Sequence, residues 1–110
     1  LNDTKLKNVE IQWEQWGNKN NEKVVLICPS LSVGSHARST VKDPTTGWWE
    51  NVIGAGKGID TDKYRVICAS NIGAPFGSTS PLSKNEENGE IYGPDFPQIT
   101  PADVARAKIE

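Results

Sequence analysis

Two short apolar runs limit what this chain can become: Val24-Val25-Leu26-Ile27-Cys28 and Tyr64-Arg65-Val66-Ile67-Cys68-Ala69. Neither alternates cleanly between apolar and polar residues, which is the pattern of strands covered on both faces. A long crossover separates them. Strand, crossover and strand at this spacing predict a parallel pair within an α/β sheet. Upstream, Val9, Ile11 and Trp13 alternate with Glu10, Gln12 and Glu14. Period two marks a half-buried antiparallel strand. Gly17-Asn18-Lys19-Asn20-Asn21-Glu22 is a polar turn of residues that tolerate left-handed geometry. The expectation is therefore a hairpin whose second arm, Val24 to Cys28, enters the interior of the sheet.

Pro29 to Asp43 reads as loop, and Gly47 to Ile53 as one or two helical turns with Trp48, Trp49, Val52 and Ile53 on an apolar side. Gly54, Gly56 and Gly58 end any such helix. Ile59-Asp60-Thr61-Asp62 is a turn. Ser70 to Thr100, with Pro75, Pro81, Pro94 and Pro97, is long and irregular, a length usual for functional loops. Thr100-Pro101-Ala102-Asp103 opens a helix, with threonine as N-cap, proline at the first helical position and an acidic residue in the first turn. Val104, Ala107 and Ile109 give that helix its apolar side.

At 110 residues the chain is one small domain at most. A net charge of −2 gives no electrostatic case for nucleic acid or an anionic membrane surface. No apolar run approaches the length of a membrane span. One histidine and two cysteines, Cys28 and Cys68, without a Cys-x-x-Cys pair, leave no metal site to expect. Both cysteines read as small buried hydrophobes in neighbouring strands, with a disulfide open in principle.

The stretch Gly47-Trp48-Trp49-Glu50-Asn51-Val52-Ile53-Gly54-Ala55-Gly56-Lys57-Gly58-Ile59-Asp60-Thr61-Asp62-Lys63-Tyr64 is far more specific than propensity requires. It resembles the segment between the second and third core strands of the homoserine/serine O-acetyltransferase family, a branch of the α/β-hydrolases. Val24 to His36, Tyr64 to Cys68, Gly77-Ser78-Thr79-Ser80-Pro81 and Tyr92-Gly93-Pro94-Asp95-Phe96-Pro97 extend the resemblance over nearly the whole chain. It implies the N-terminal portion of a single α/β-hydrolase domain, residues 1–110, ending before the nucleophile elbow. It also implies an O-acyltransferase that moves an acetyl group from acetyl-CoA, a co-substrate rather than a bound cofactor, to the hydroxyl of homoserine or serine. An acyl-serine intermediate would form on a downstream residue. The implied partners are these small molecules, with room for a homodimer of the whole protein. The implied location is cytoplasmic, or mitochondrial in a eukaryote. The alternatives are an esterase on the same fold and a non-catalytic half of a split protein.

In α/β-hydrolases one oxyanion-hole donor comes from the residue after the nucleophile, and the other from the loop after an early strand. Here that loop is Pro29-Ser30-Leu31-Ser32, and the resemblance implies the Leu31 backbone N–H as donor. The family more often carries His-Ala or Thr-Gly where this chain has Pro29-Ser30, so the adjacent pocket is expected to differ in shape. Ser35-His36-Ala37 looks more like the serine-acylating members. Ser32, Asn71 and Ser78 are implied pocket walls. The Asn71-to-Pro81 loop is similar to the fungal-type version of the family and follows the strand end where open α/β sheets bind ligands.

Other residues invite chemistry less well. His36 precedes the place of the nucleophile, so it cannot be the histidine of a triad that runs Ser, Asp, His, and it reads as a local loop residue. Ser30, Ser32, Ser35, Ser78 and Ser80 lie in no Gly-x-Ser-x-Gly motif. Gly54 to Gly58 lacks the spacing of a phosphate loop, since Gly58 follows Lys57. Trp48 and Trp49 read as anchors of the crossover. Three strands with open edges offer little core. The isolated chain is expected to lack independent stability; a cooperative two-state melt of the 110-residue peptide would overturn that.

Overall fold

Arg65–Ala69 lies in the middle of a three-stranded sheet, and its composition explains why: Val66, Cys68 and Ala69 are all buried. The computed structural model describes Leu6 and residues 8–109. In chain order the elements are β1 (Trp13–Trp16), β2 (Val24–Ile27), β3 (Ile53–Gly54), β4 (Ile59–Asp60), β5 (Arg65–Ala69), a 3₁₀ turn (Gly93–Asp95) and α1 (Pro101–Ile109). The sheet order is β1-β5-β2. β2 runs parallel to β5, with Val25 opposite Val66 and Ile27 opposite Cys68. The expected parallel pair is therefore present.

The expected hairpin is not. β1 is antiparallel, but its partner is β5, with Trp13 opposite Ala69 and Trp16 opposite Val66. The connection from Gly17 to Lys23 steps over one strand position instead of closing a tight turn. Gly17 makes the step possible. It has φ +84°, and a Cβ there would lie 2.5 Å from the Tyr64 carbonyl oxygen and 2.8 Å from that of Thr61. The chain thus leaves β1 pressed against the turn that starts β5.

One face of the sheet carries the core. Trp16, Val66, Cys68 and Ile27 point the same way by register and pack with Ala37 and Ile53 from the crossover. Val25, Trp48, Ile59 and Tyr64 close around them. The other face is open among the described residues, with Trp13, Val24 and Leu26 exposed. Two expectations are corrected by this. β2 is not covered on both faces, and in β1 the buried apolar anchor is Trp16, whereas Val9 and Trp13 lie exposed. Cys28 follows β2 onto the open side and is exposed, while Cys68 is buried; both thiols are free.

The crossover is poor in large apolar residues and holds itself by hydrogen bonds. The Trp16 indole donates to Ser39 O at 3.1 Å and the Trp48 indole to Gly34 O at 2.9 Å. Arg38 donates to the Glu50 and Ile53 carbonyls. The Glu50 carboxylate accepts from Gly47 N–H, Ser39 N–H and the Ser39 hydroxyl at 2.8–2.9 Å. Trp48 to Ile53 makes one helical turn, closed by Val52 and Ile53 N–H groups on Trp49 O, and runs into β3. Ile59-Asp60, expected as the first half of a turn, is instead a strand that pairs in parallel with β3, and the turn follows at residues 61–63.

The helix at Thr100 forms as expected. Thr100 Oγ1 accepts from Asp103 N–H at 3.2 Å, and Asp103 Oδ2 accepts from Thr100 N–H at 3.0 Å, a reciprocal cap.

Two predictions follow from the crossover's construction. A Cβ on Gly47 would lie 2.3 Å from Ala37 C and Arg38 N, both main chain and both without room to yield. Gly47→Ala is expected to cost at least about 1–3 kcal/mol, the range for overpacking, seen as a lowered melting temperature of the protein carrying this segment. The hydrogen bonds from Gly47 and Ser39 hold the Glu50 carboxyl down at about 2, from an ordinary 4.5. With the folded value below the unfolded one, the unfolded chain binds the extra proton first. Glu50's stabilisation is complete above about 4.5 and vanishes as pH falls through about 2. Denaturant midpoints measured from pH 7 down to 2 should fall for the native protein and change less for Glu50→Gln.

Candidate functional site

The loop that leaves β2 at the C-terminal end of the parallel pair is the place to build a site, because strand ends there are free of sheet pairing. Pro29 is buried. Leu31 and Ser32 form an exposed turn, with Leu31 84% exposed. No described residue accepts a hydrogen bond from the Leu31 N–H. A backbone donor with no internal acceptor is one that can serve a ligand.

Beside this loop lies a cavity of about 490 Å³. Cys28 and Leu31 line it from the β2 end, Asn71 from the β5 end, and Thr100, Val104 and Lys108 from α1. Val104 and Lys108 are one helical turn apart, so they share a face. The cavity brings Leu31 and Asn71 together; Ser32 and Ser78 do not line it. The Ser32 hydroxyl lies 3.3 Å from that of Ser30. Ser78 is buried, accepting from Gln12 N–H at 2.9 Å and donating to Ser70 O at 2.7 Å. Ser78 therefore ties the stretch before β1 to the end of β5, and its hydroxyl has both partners within the protein.

Asn71 is only 8% exposed. Its Nδ2 donates to Pro29 O at 3.1 Å, and its Oδ1 accepts from the Lys108 ammonium. Next to it, the Ser70 hydroxyl accepts from Ser35 N–H at 2.8 Å. Sequence reasoning did not reach Ser70 or Lys108. For Lys108 the only signal was its spacing from Val104 on a helix, which any solvated lysine shares.

His36 is bonded on one side within the crossover, as expected, and on the other, beyond that expectation, to Glu14 of β1. Nδ1 lies 2.7 Å from Glu14 Oε1 and Nε2 2.7 Å from Thr45 O. Both ring nitrogens face acceptors, so the doubly protonated ring fits the pocket best. The Glu14 bond chiefly raises its pKa above 6.5, with burial opposing. Glu14 also accepts from the Ser35 hydroxyl at 2.9 Å. None of the described serines is hydrogen-bonded to His36, so no Ser–His pair exists among the described residues. Burial pushes the Cys68 thiol up to about 11, which makes it a poor nucleophile. No cluster of three or more His, Cys, Asp or Glu among the described residues could hold a metal ion, and no described helix is long and apolar enough to cross a membrane.

Comparison with known proteins gives these features a context. No family model matches the chain. It is 44% identical over 106 residues to a serine O-succinyltransferase of Emericella nidulans, which covers 94% of this chain and 20% of that protein. It is 45% identical over 106 residues to a homoserine O-acetyltransferase of Methanobrevibacter ruminantium, again over 94% of this chain and 22% of the relative. Among solved structures it superposes on homoserine O-acetyltransferase from Bacillus anthracis with a TM-score of 0.81 and 40% identity, covering 92% of this chain and 30% of that one. Esterase E22 matches with a TM-score of 0.82 and 35% identity, covering 94% and 31%. The chain thus spans a fifth to under a third of each of these proteins.

Proposed function

We propose, from homology with the serine and homoserine O-acyltransferases over nearly the whole chain and from a partial α/β-hydrolase fold, that this segment supplies one oxyanion donor and part of the pocket of an O-acyltransferase. The donor is the Leu31 N–H. Its lack of an acceptor among the described residues, on a loop that lines the cavity, is the observation that carries the reading.

In acyl transfer a nucleophile adds to the acyl carbonyl, and the carbonyl oxygen becomes an oxyanion. Two N–H dipoles already aimed at that oxygen stabilise it without reorganising, each by on the order of 3 kcal/mol. Leu31 gives one. The other, with the nucleophilic serine, its base and the acid behind that base, comes from the remainder of a longer protein. The serine takes the acyl group from acyl-CoA and releases the CoA thiol. The hydroxyl of homoserine or serine then attacks the acyl-serine, forms the O-acyl amino acid and frees the enzyme, giving ping-pong kinetics. Acetyl is the acyl group favoured by the sequence resemblance; succinyl is the competing choice, since serine and homoserine O-succinyltransferases outnumber the acetyltransferase among the similar curated proteins.

A second reading has its own support. The superposition on esterase E22, with a TM-score of 0.82, is as good as that on the acetyltransferase, at 0.81; an esterase takes the acyl group from an ester, releases the alcohol and lets water accept the acyl group. Assays of the whole protein separate the two. CoA release from acetyl-CoA or succinyl-CoA that needs serine or homoserine supports acyl transfer. Turnover of simple esters with no response to either amino acid supports the esterase.

The donor role has a sharper test. Leu31→Pro removes the N–H, and Leu31→Ala keeps it. The proline variant is expected to lose about 10²- to 10³-fold in kcat, and the alanine variant far less. Equal losses would assign the effect to the side chain and defeat the proposal.

A further inference from the structure

The exposed loop that carries Leu31 has a positioning problem. An oxyanion donor is useful only within a few tenths of an ångström of its place, and an exposed turn does not hold such a tolerance unaided. The hydrogen bonds around it show how the tolerance is met. Two consecutive buried residues at the end of β5 bracket the turn. Asn71 grips Pro29 O on the entering side, and the Ser70 hydroxyl accepts from Ser35 N–H on the leaving side. Gly34 O adds a third fixed point, accepting from the Trp48 indole. Only Ser30 to Val33, with Leu31 among them, stand between these pins.

The Asn71 grip also depends on which way its carboxamide faces. Lys108 is a donor only, and the Pro29 carbonyl is an acceptor only. With the ammonium on Oδ1, the Nδ2 group has one place left to point, toward Pro29 O. A flipped amide would set donor against donor and acceptor against acceptor, with both contacts partly or wholly buried. Lys108 has no carboxylate partner among the described residues, so this contact on α1 is its described polar role. Asn71 thus lines the cavity with both ends of its carboxamide already bonded within the protein, one to the main chain and one to α1.

We propose that Asn71 is a positioning residue for the Leu31 donor, and that Lys108 acts through it by fixing the orientation of the carboxamide. This rests on the assignment of the Leu31 N–H to the oxyanion. The consequence is specific: the geometry of the site is linked to α1 through one side chain, and loss of that link slows chemistry at each intact site.

The test uses the whole protein and p-nitrophenyl acetate, which reports acylation for a transferase and an esterase alike. Sites are counted by fluorophosphonate labelling, and kcat is expressed per labelled site. Asn71→Asp keeps an acceptor for Lys108 but has no donor for Pro29 O. Its kcat per site is expected to fall about 10- to 100-fold, with KM changed much less. Lys108→Met should lower kcat per site several-fold, and Lys108→Arg, which keeps a donor cation, should restore most of it. A merely structural role predicts fewer labelled sites or a lower melting temperature with kcat per site retained, and that result overturns the proposal. If Asn71→Asp does not fold, Lys108→Met decides: a wild-type kcat per site in that variant overturns it. Leu31→Pro in the same assay separates the two levels. A slow Leu31→Pro with a fast Asn71→Asp overturns only the positioning role. A fast Leu31→Pro, or no turnover by the wild-type protein, overturns the donor assignment and this inference with it.

Discussion

The parallel pairing of β2 with β5 is the constraint from which the rest follows. Parallel neighbours cannot be joined by a short turn, so the chain must travel back along the sheet before it can add the second strand. The crossover from Cys28 to Tyr64 is that return journey, and it has to cover the core face on the way. It does so with few large apolar side chains. Ala37 and Ile53 fill the centre, and Trp48 closes one side. What the crossover lacks in apolar mass it makes up in satisfied polar groups. Arg38, Ser39 and Glu50 tie residues 38–39 to residues 47–53 in its middle, and the indoles of Trp16 and Trp48 reach into its carbonyls. No buried side-chain nitrogen or oxygen among the described residues lacks a partner. A face covered this way is specified by geometry more than by hydrophobic mass, which is why Gly47 has no room for a methyl group.

The same pairing sets the place of the chemistry. Both parallel strands release their chains at one end, and the loops from those ends meet there. Pro29 to Ser35 comes from β2, and Ser70 to Ala74 from β5. Their contact through Ser70 and Asn71 is thus a product of strand order. The inserted position of β5, between β1 and β2, brings its C-terminal loop beside both neighbours. On one side Ser78 and Thr79 bond the main chain of Glu10 and Gln12; on the other, Asn71 bonds Pro29.

Much of this was legible in the sequence, and the failures have physical causes. The parallel pair, the single turn after Gly47 and the Thr100 cap each rest on local signals: apolar runs, glycine stops, a threonine three residues before an aspartate. Strand order is not local. Nothing in Gly17 to Lys23 distinguishes a hairpin from a step across one strand, because the deciding contact is Gly17 against Tyr64, far along the chain. The face of β1 was misjudged for a related reason. Alternation gives the period but not which side meets the core, and Trp16 sits out of phase with Val9, Ile11 and Trp13. Leu31 was reachable only through family resemblance, since a backbone N–H leaves no trace in composition. The roles of Asn71 and Lys108 depend on two elements meeting in space, and no spacing in the sequence encodes that meeting.

The β1-β5-β2 order also bears on how such a sheet is made on the ribosome. β1 and β2 are synthesised first, yet neither pairs with the other. Both wait for β5, whose residues emerge only after the whole crossover has been translated. At about 5–20 residues per second that interval is measured in seconds, far longer than a hairpin needs to close. During it, the tryptophans of β1 and the aliphatic residues of β2 have no strand partner, and the emerging segment has the open edges through which nascent chains associate. The late arrival of a central strand makes the moment of its pairing, and not the closing of any hairpin, the step that ends this exposure.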